Sequence, residues 1–460
     1  MVLARPRERL TRAAPTYHDV PHEGVGQVDP IAPRPGPHST EDGMDVMYQV
    51  ACGIDVHKKT MVACVADKSG KKLKQETRTF DAHTQGLREL RDWLMTKKVE
   101  AVAMEGTGIY WRSLYAVLEA GAVPWTLVVG NAHHIKNVPG RKTDVKDAEW
   151  LAQLVQHGLI RPSFVPPPML RELRDLTRYR KKVVEDRSRQ QARILKVLQA
   201  ANIKLDSVAT DVFGVSGMLM LRALATGEKT PKEMASLAKG TLKKKIEALE
   251  VALEGTLNKV HRGMLSVALS LLDTFDKALE DVDALIDKHV APWTEEVKLL
   301  TTIPGFDRVM AVSVLAEVGP DMAVFPTEHH LASWTGVCPG NNQSAGKSRN
   351  GRPQRGNPWL KTMICQAALS AVKTKGTYLK DKFHRLKARR GHNKAIMAMA
   401  HKLIVGVFHI LKDRVVFKDL GADWLDKRDA NRVVRGLVDR LRSLGYDATL
   451  RPLSTSSLAA

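Results

Sequence analysis

The sequence has little cysteine. Four occur in 460 residues, Cys52, Cys64, Cys338 and Cys365, and no two form a C-x-x-C pair. That spacing argues against a structural zinc site, and nothing points to an oxidising compartment. Two of the four lie in apolar, strand-like runs and read as small buried hydrophobes. Long hydrophobic runs are missing as well. No apolar stretch reaches the roughly 18 residues that a membrane span needs. The N-terminus has no h-region of a secretory signal, so a cytoplasmic protein without a membrane partner is the default. Acidic residues are in deficit, 50 against 71 lysines and arginines, which leaves a net charge of +21. Such a surplus favours a polyanionic partner, because each neutralised phosphate releases counterions. The bland alternative is a soluble basic protein with no nucleic-acid role. The hydrophobic fraction of 43% is that of a soluble globular chain, and the length suits two to four domains.

Residues 1–46 are rich in proline, glycine and charge, have no hydrophobic periodicity, and read as a disordered extension. Met44 and Met47 immediately precede the first strand-like run, so the extension need not be native. From residue 49 the pattern changes. Runs 49–55 (QVACGID), 60–67 (TMVACVAD) and 72–80 (KLKQETRTF) predict three strands joined by tight turns. A helix over 83–97, a strand at 100–105, a helix at 109–120, a strand at 124–130 and a helix at 144–157 follow. The order βββαβαβα predicts a mixed sheet with packed helices across 47–160.

A proline cluster at 162–168 marks a linker. Long charged helices are expected over 169–201 and 241–289, within a connector spanning 161–295. In the second, Leu242, Ile246, Leu249, Leu253, Leu257, Val260 and Met264 recur at spacings of 3 and 4, which reads as a coiled-coil seam. A helical hairpin packed on itself fits the spacing about as well. Residues 296–415 read as a mainly helical domain. It begins with helix, Pro304-Gly305 turn and helix, and continues through a polar, basic, glycine-rich stretch at 340–357 into helices at 358–374 and 393–413. The remainder, 416–460, reads as a basic tail.

Four carboxylates stand out. Asp55 ends the first strand and Glu105 ends the fourth. Asp144 and Asp147 lie three apart, on one face of the last helix of the first domain. The ends of central strands meet the start of a packed helix, so the four can converge at one sheet edge. Their mutual repulsion is resolved by divalent metal, and Mg²⁺ prefers such oxygen ligands. Two ions about 3.5–4 Å apart serve phosphoryl transfer, and Mn²⁺ suits the same ligand set. Taken singly, Asp55 reads equally as a turn residue and Asp144 as a helix cap. Glu105 is harder to dismiss, because a charge after the apolar run AVAM is costly without a partner.

Six blocks then carry a resemblance. GIDVHKKT (53–60), MEGTGIYW (104–111) and KTDVKDAEWLA (142–152) resemble the three DEDD blocks of the IS-one-ten insertion-sequence transposases, a group with bridge-RNA-guided recombinases and pilin-gene invertases. TIPGFDRVMAVSVLAEVG (302–319) and GVCPGNNQSAGKSRNGRPQRGNPWLK (336–361) resemble that family's C-terminal transposase domain, and RRGHNKAIMAMAHKLI (389–404) its closing helix. The match runs in order over roughly 49–415. It implies an RNase-H/RuvC-like domain whose DEDD residues fall on Asp55, Glu105, Asp144 and Asp147. It places the family's nucleophilic serine on Ser344, cutting through a serine-phosphate intermediate with metal assistance. It also implies double-stranded donor and target DNA and a noncoding guide RNA. Many relatives have a second glycine or serine beside the nucleophile, where this chain has Ala345. Ser348 is a competing assignment.

Around Ser344, the cations Lys347, Arg349, Arg352 and Arg355 can hold a scissile phosphate and its developing charge. From these residues alone a solvated basic loop gripping phosphate fits better, and the family resemblance reverses that preference. His57 and Lys58 follow Asp55 and are candidates for the substrate backbone. The Pro304-Gly305 turn is either a phosphate-binding helix-hairpin-helix or an ordinary hairpin. Tyr110 and Trp111 read as core residues. The resulting expectation is a metal-dependent DNA transposase or recombinase acting as a homodimer or tetramer, with the 242–264 seam as interface. The alternatives are a RuvC-like nuclease or junction resolvase without serine chemistry, an actin-like ATP-binding fold, for which a second strand set is missing, and a non-catalytic nucleic-acid-binding protein.

Overall fold

A computed structural model describes residues 46–450, apart from positions 71, 107, 138–146, 341, 345–346, 351–352 and 354. The expected extension at 1–46 therefore lies, but for Val46, outside the described residues. The chain divides into two compact units, one made of residues up to Pro166 together with those from Glu295 on, the other Pro167–Thr294.

In the first unit, strands β1 (Val50–Val56), β2 (Thr60–Asp67) and β3 (Lys74–Asp81) are followed by α1 (Thr84–Thr96), β4 (Ala101–Glu105), α2 (Trp111–Glu119), β5 (Thr126–Gly130), α3 (Ala132–Asn137) and α4 (Asp147–Gln156). The sheet order is β3-β2-β1-β4-β5. β1 pairs antiparallel with β2 and parallel with β4, so the sheet is mixed, as the order of runs predicts. Alternation along the strands decides what covers each face. Cys52, Ile54, Val102 and Met104 share one core with Leu87, Leu90 and Leu94 of α1 and Leu114 and Leu118 of α2. The opposite face carries Ala51, Ala101 and Ala103 against Leu151, Leu154 and Val155 of α4, and Cys64 and Ala66 against Ala148 and Ala152. Small side chains over that face let α4 approach closely. The edge strand β3 carries Lys74, Glu76 and Arg78, and charge on an edge opposes pairing with another chain.

The proline cluster is packed rather than a free linker. Pro162 bridges to Gly130, and Ser163 N–H donates to Val129 O at 2.7 Å. The ring of Phe164 lies 5.6 Å from Phe325 and 6.0 Å from Trp334, so early and late parts of the chain share one core.

The second unit is built on α5 (Pro168–Ala200), followed by α6 (Leu205–Val208), α7 (Val215–Thr226), α8 (Pro231–Ala235), α9 (Ile246–Leu253) and α10 (Lys259–Val290). α5 and α10 run antiparallel, since Arg180 pairs with Asp283, Arg187 with Asp276 and Glu172 with His289. The short helices enclose a core of Ile194, Leu198, Met220, Leu221, Leu249, Leu253, Leu265 and Leu269. This corrects the seam expected at 242–264. The helix is interrupted between α9 and α10, where Gly255 lies against the chain at Ala201 and Thr256 N–H donates to Ala201 O at 2.8 Å. Leu249 and Leu253 are buried inside the unit, while Val260 and Met264 are exposed.

The first unit resumes with α11 (Thr294–Thr301), α12 (Arg308–Val318) and α13 (Glu328–Thr335). Then come strands β6 (Asn342–Ser344) and β7 (Lys347–Asn350), and helices α14 (Pro358–Ala371), α15 (Tyr378–Arg390), α16 (His392–Asp413), α17 (Trp424–Arg428) and α18 (Ala430–Ser443). α12 is buried from Ala311 through Val318, and α16 packs against α13, α14 and α15. Among the described residues α16 alone is long and apolar enough to cross a membrane by composition, but most of that stretch is buried in the core. The stretch expected as a basic tail holds α17 and α18.

Two substitutions separate the observed hairpin from a continuous seam. Leu269→Ala should lower unfolding free energy by about 2–5 kcal/mol, as expected for truncating a buried leucine. Met264→Ala, at an exposed site, should change it by no more than about 0.5 kcal/mol. Urea titration of both variants checks this, and equal losses would favour the seam.

Candidate active site

The carboxylate cluster begins with a glycine. A Cβ built on Gly53 would meet Ala148 O and Ala152 N at 2.2 Å, so the backbone of α4 lies directly on β1. Asp147 opens α4 one residue before Ala148, and Asp55 lies two residues beyond Gly53, on the same side of the strand. β4 pairs in parallel with β1 up to Ile54 opposite Met104, which brings Glu105 beside Asp55 at the strand ends. The electrostatics agree. Burial raises the Asp55 pKa, the adjacent His57 opposes that, and the charges of Asp147 and Glu105 raise it further. His57 Nε2 stands 3.0 Å from Asp55 Oδ2.

Asp55, Glu105 and Asp147 therefore lie at the ends of β1 and β4 and the start of α4, near enough for the charges of the last two to act on the first. Asp144 lies outside the described residues. No three carboxylate, imidazole or thiolate groups already stand at metal-ligating spacing among the described residues. Carboxylate oxygens are hard donors of the kind that divalent cations such as Mg²⁺ prefer. Lys58 is exposed at the β1–β2 turn. Tyr110 is 44% exposed, against the expectation of core packing, whereas Trp111 packs edge-on against Tyr115.

The second expected centre lies on a short hairpin. β6 and β7 pair antiparallel, with Ser344 opposite Lys347 and Gln343 opposite Ser348. Ser344 is thus the last strand residue before the turn, and Ser348 sits one step back on the other strand. Lys347 and Arg349 are on β7, Arg355 is exposed beyond it, and Arg352 lies outside the described residues.

The foot of this hairpin is tightly held by Gly336, Gly356, Asn357 and Glu317. A Cβ on Gly356 would meet Gly336 N at 2.4 Å, so the outgoing chain lies on the incoming one. Asn357 N–H donates to Trp334 O at 3.0 Å, and its Nδ2 donates to Glu317 Oε2 at 2.6 Å. Its Oδ1 accepts from Trp359 N and Leu360 N, capping α14. Glu317 is only 1% exposed. The sequence does carry signals for these residues: a charge inside the apolar run AVSVLAEV, and an asparagine directly before a proline at the first helical position. Gly305, at φ +85°, packs against α14 with Ala367 O 2.5 Å from where its Cβ would be, so the Pro304-Gly305 turn serves helix packing.

Comparison with known proteins bears on both centres. The DEDD transposase model of IS110 type matches residues 52–203, and the model described as Transposase IS116/IS110/IS902 family matches 297–384. The two together span more than half of the chain and enclose the carboxylates and the hairpin. The chain belongs to the IS110 family of transposases. The transposase for insertion sequence element IS1111A of Coxiella burnetii is 25% identical over 361 residues, 76% of this chain and 86% of its own length. The insertion element IS900 uncharacterized 42 kDa protein of Mycobacterium paratuberculosis is 26% identical, over 63% of this chain and 80% of its own. The insertion element IS110 uncharacterized 43.6 kDa protein of Streptomyces coelicolor is 31% identical, over 36% and 39%. A transposase of this family cleaves and rejoins DNA, and the surplus of basic charge suits that substrate.

Two outcomes follow for the transposase. Gly53→Ala should force α4 off the sheet, lower stability by about 1–3 kcal/mol and abolish DNA cleavage. Gly70→Ala, where a Cβ meets open space, should change neither. Asn357→Ala should cost about 1–3 kcal/mol in thermal unfolding, because it removes a helix cap and leaves the buried Glu317 short of a donor.

Proposed function

We propose that this transposase cuts and exchanges DNA strands with two cooperating centres. One is the carboxylate set Asp55, Glu105, Asp144 and Asp147, on an RNase-H/RuvC-like domain. The other is a nucleophilic serine, Ser344. The observation that carries the reading is the convergence of Asp55, Glu105 and Asp147, which α4 makes by lying on Gly53. Carboxylates so placed would hold two Mg²⁺ ions, with Mn²⁺ as substitute, and the ions would supply charge neutralisation at the scissile phosphate. Ser344 Oγ attacks phosphorus. As the Oγ–P bond forms, the serine proton leaves, the opposite P–O bond breaks, and the released DNA oxygen takes up a proton. A second attack by a DNA hydroxyl reverses these bonds and joins new strands. Lys347, Arg349, Arg352 and Arg355 hold the phosphate oxygens during both steps. His57 and Lys58, beside the carboxylates, hold the substrate backbone.

Guidance by a noncoding RNA, a homodimer or tetramer engaging donor and target duplexes, and a cytoplasmic location complete the proposal. The exposed turn carrying Lys58 and the basic strand β7 support nucleic-acid contact at both centres.

A recombination assay tests the reading. The purified protein is given Mg²⁺, the RNA transcribed beside its element, and both DNA sites, with Ser344→Ala and Asp144→Ala in parallel. Wild type should recombine and leave a covalent protein–DNA adduct, and each variant should lose at least about three powers of ten in rate, as when an essential catalytic group is removed. Cleavage that survives Ser344→Ala and fails in Asp144→Ala would identify a RuvC-like metal nuclease instead.

A further inference from the structure

One asparagine ties together three helices around the foot of the serine hairpin. Asn357 N–H donates to Trp334 O of α13 at 3.0 Å. Its Oδ1 accepts from Trp359 N at 3.0 Å and from Leu360 N at 3.2 Å, in the first turn of α14. Its Nδ2 donates to Glu317 Oε2 of α12 at 2.6 Å. An amide used on both sides cannot rotate or flip without giving up the helix cap and the bond to Glu317 together. Glu317 is 1% exposed, in a helix buried from Ala311 to Val318, and a buried carboxyl is costly unless it is hydrogen-bonded. Directly beside this clasp the two ends of the hairpin meet backbone to backbone. A Cβ on Gly356 would stand 2.4 Å from Gly336 N and 2.6 Å from Thr335 C. Gly336, at φ +79°, ends α13, and Val337 N–H returns to Ala332 O at 3.2 Å.

Between these fixed ends, Ser344 lies eight positions after Gly336 and twelve before Gly356. β6 and β7, NQS and KSRN, carry no apolar side chain, so the two strands have no core of their own to set their place. A lone two-stranded hairpin is marginally stable in water. Its direction is therefore set at the foot, where the clasp fixes the incoming end to the outgoing one. A nucleophile must stand in line with the bond it breaks, and a displacement of about 1 Å can cost on the order of a hundredfold in rate.

We propose that Asn357 and Glu317 are positioning residues for strand cleavage: through the foot of the hairpin they hold Ser344 in line with the scissile phosphate. The inference rests on the reading of Ser344 as the nucleophile. Loss of the bond from Asn357 Nδ2 to Glu317 Oε2 frees the start of α14 from α12 and lets the outgoing end of the hairpin move. Attack by Ser344 slows, while the groups that bind DNA stay in place.

The test uses the full-length protein with Mg²⁺, its RNA and both DNA sites at saturating concentration, and follows the single-turnover rate of covalent protein–DNA adduct formation. Asn357→Asp keeps a capping oxygen for α14, since aspartate caps a helix about as well as asparagine, but it removes the donor to Glu317 and sets a second carboxyl against it. Its rate should fall by about 10- to 100-fold, with duplex affinity unchanged. The two facing carboxyls titrate as a pair, and one shared proton restores a hydrogen bond between them. The ratio of variant to wild-type rate should therefore recover as the pH is lowered from about 8 to about 6. Asn357→Ser, which keeps a capping hydroxyl without the added charge, should be slowed as well but show no such recovery. Ile364→Val, a truncation at a fully buried site on α14, controls for stability and should keep the wild-type rate. A wild-type rate in either Asn357 variant would overturn the inference. So would equal slowing in Ile364→Val, which would reduce the clasp to general stability, or a loss of duplex affinity in step with the rate. An adduct that persists in Ser344→Ala would instead reject the nucleophile reading, and the positioning inference with it.

Discussion

Where a helix backbone touches a strand backbone, no side chain fits between them, and the contact fixes both elements to within an ångström or so. Gly53 makes that contact with Ala148 and Ala152. The surrounding face, Ala51, Ala101, Ala103, Cys64 and Ala66, is small enough not to wedge α4 away. The first residue of α4 is thereby delivered to the ends of β1 and β4. A larger residue at 53 would still permit a sheet and a helix, but Asp147 would be displaced from Asp55 and Glu105. The placement of the carboxylates therefore depends on a missing side chain more than on any attractive pair.

That delivery has an electrostatic cost. Asp55 is half-buried and feels the charges of Asp147 and Glu105, with His57 as the near counterweight. A fold selected only for stability would place neutral or apolar groups there, as it does one residue earlier at Ile54 and Met104. Carboxylates kept together at the ends of strands mark a candidate functional site.

Much of this was legible in the sequence, and the parts that were not share a cause. The five strands could be read because each is a short apolar run bounded by turn residues, and Asp55 and Glu105 because each ends such a run. The seam at 242–264 misled because spacing of 3 and 4 persists in sequence across the break before α10. Only the packing of Gly255 against Ala201 shows that the helix has stopped. α15 escaped because its buried set is just Tyr378, Leu379 and Phe383 among ten other residues, whereas α18, which buries nothing, does carry Val434, Leu437 and Leu441 at helical spacing. The hairpin of β6 and β7 is polar throughout, and cross-strand register leaves no hydrophobic pattern to follow. Local periodicity reports burial. It is silent on elements held by their ends, as this hairpin is by Gly336, Gly356, Asn357 and Glu317.

The antiparallel pairing of α5 with α10 explains how one unit can be formed by two distant parts of the chain. The two helices are 33 and 32 residues long, so the chain leaves at Pro167 and returns near Thr294 at neighbouring points. The pair of Glu172 with His289 marks that closure at the entrance, and Arg180–Asp283 and Arg187–Asp276 hold the register further along. An insertion whose ends meet imposes no separation on what it interrupts. Phe164, just before the insertion, can then share an aromatic cluster with Phe325 and Trp334, far beyond it. Trp334 in turn accepts the Asn357 N–H at the foot of the serine hairpin. A continuous line of packed groups thus runs from the end of the carboxylate-bearing fold to the base of the hairpin.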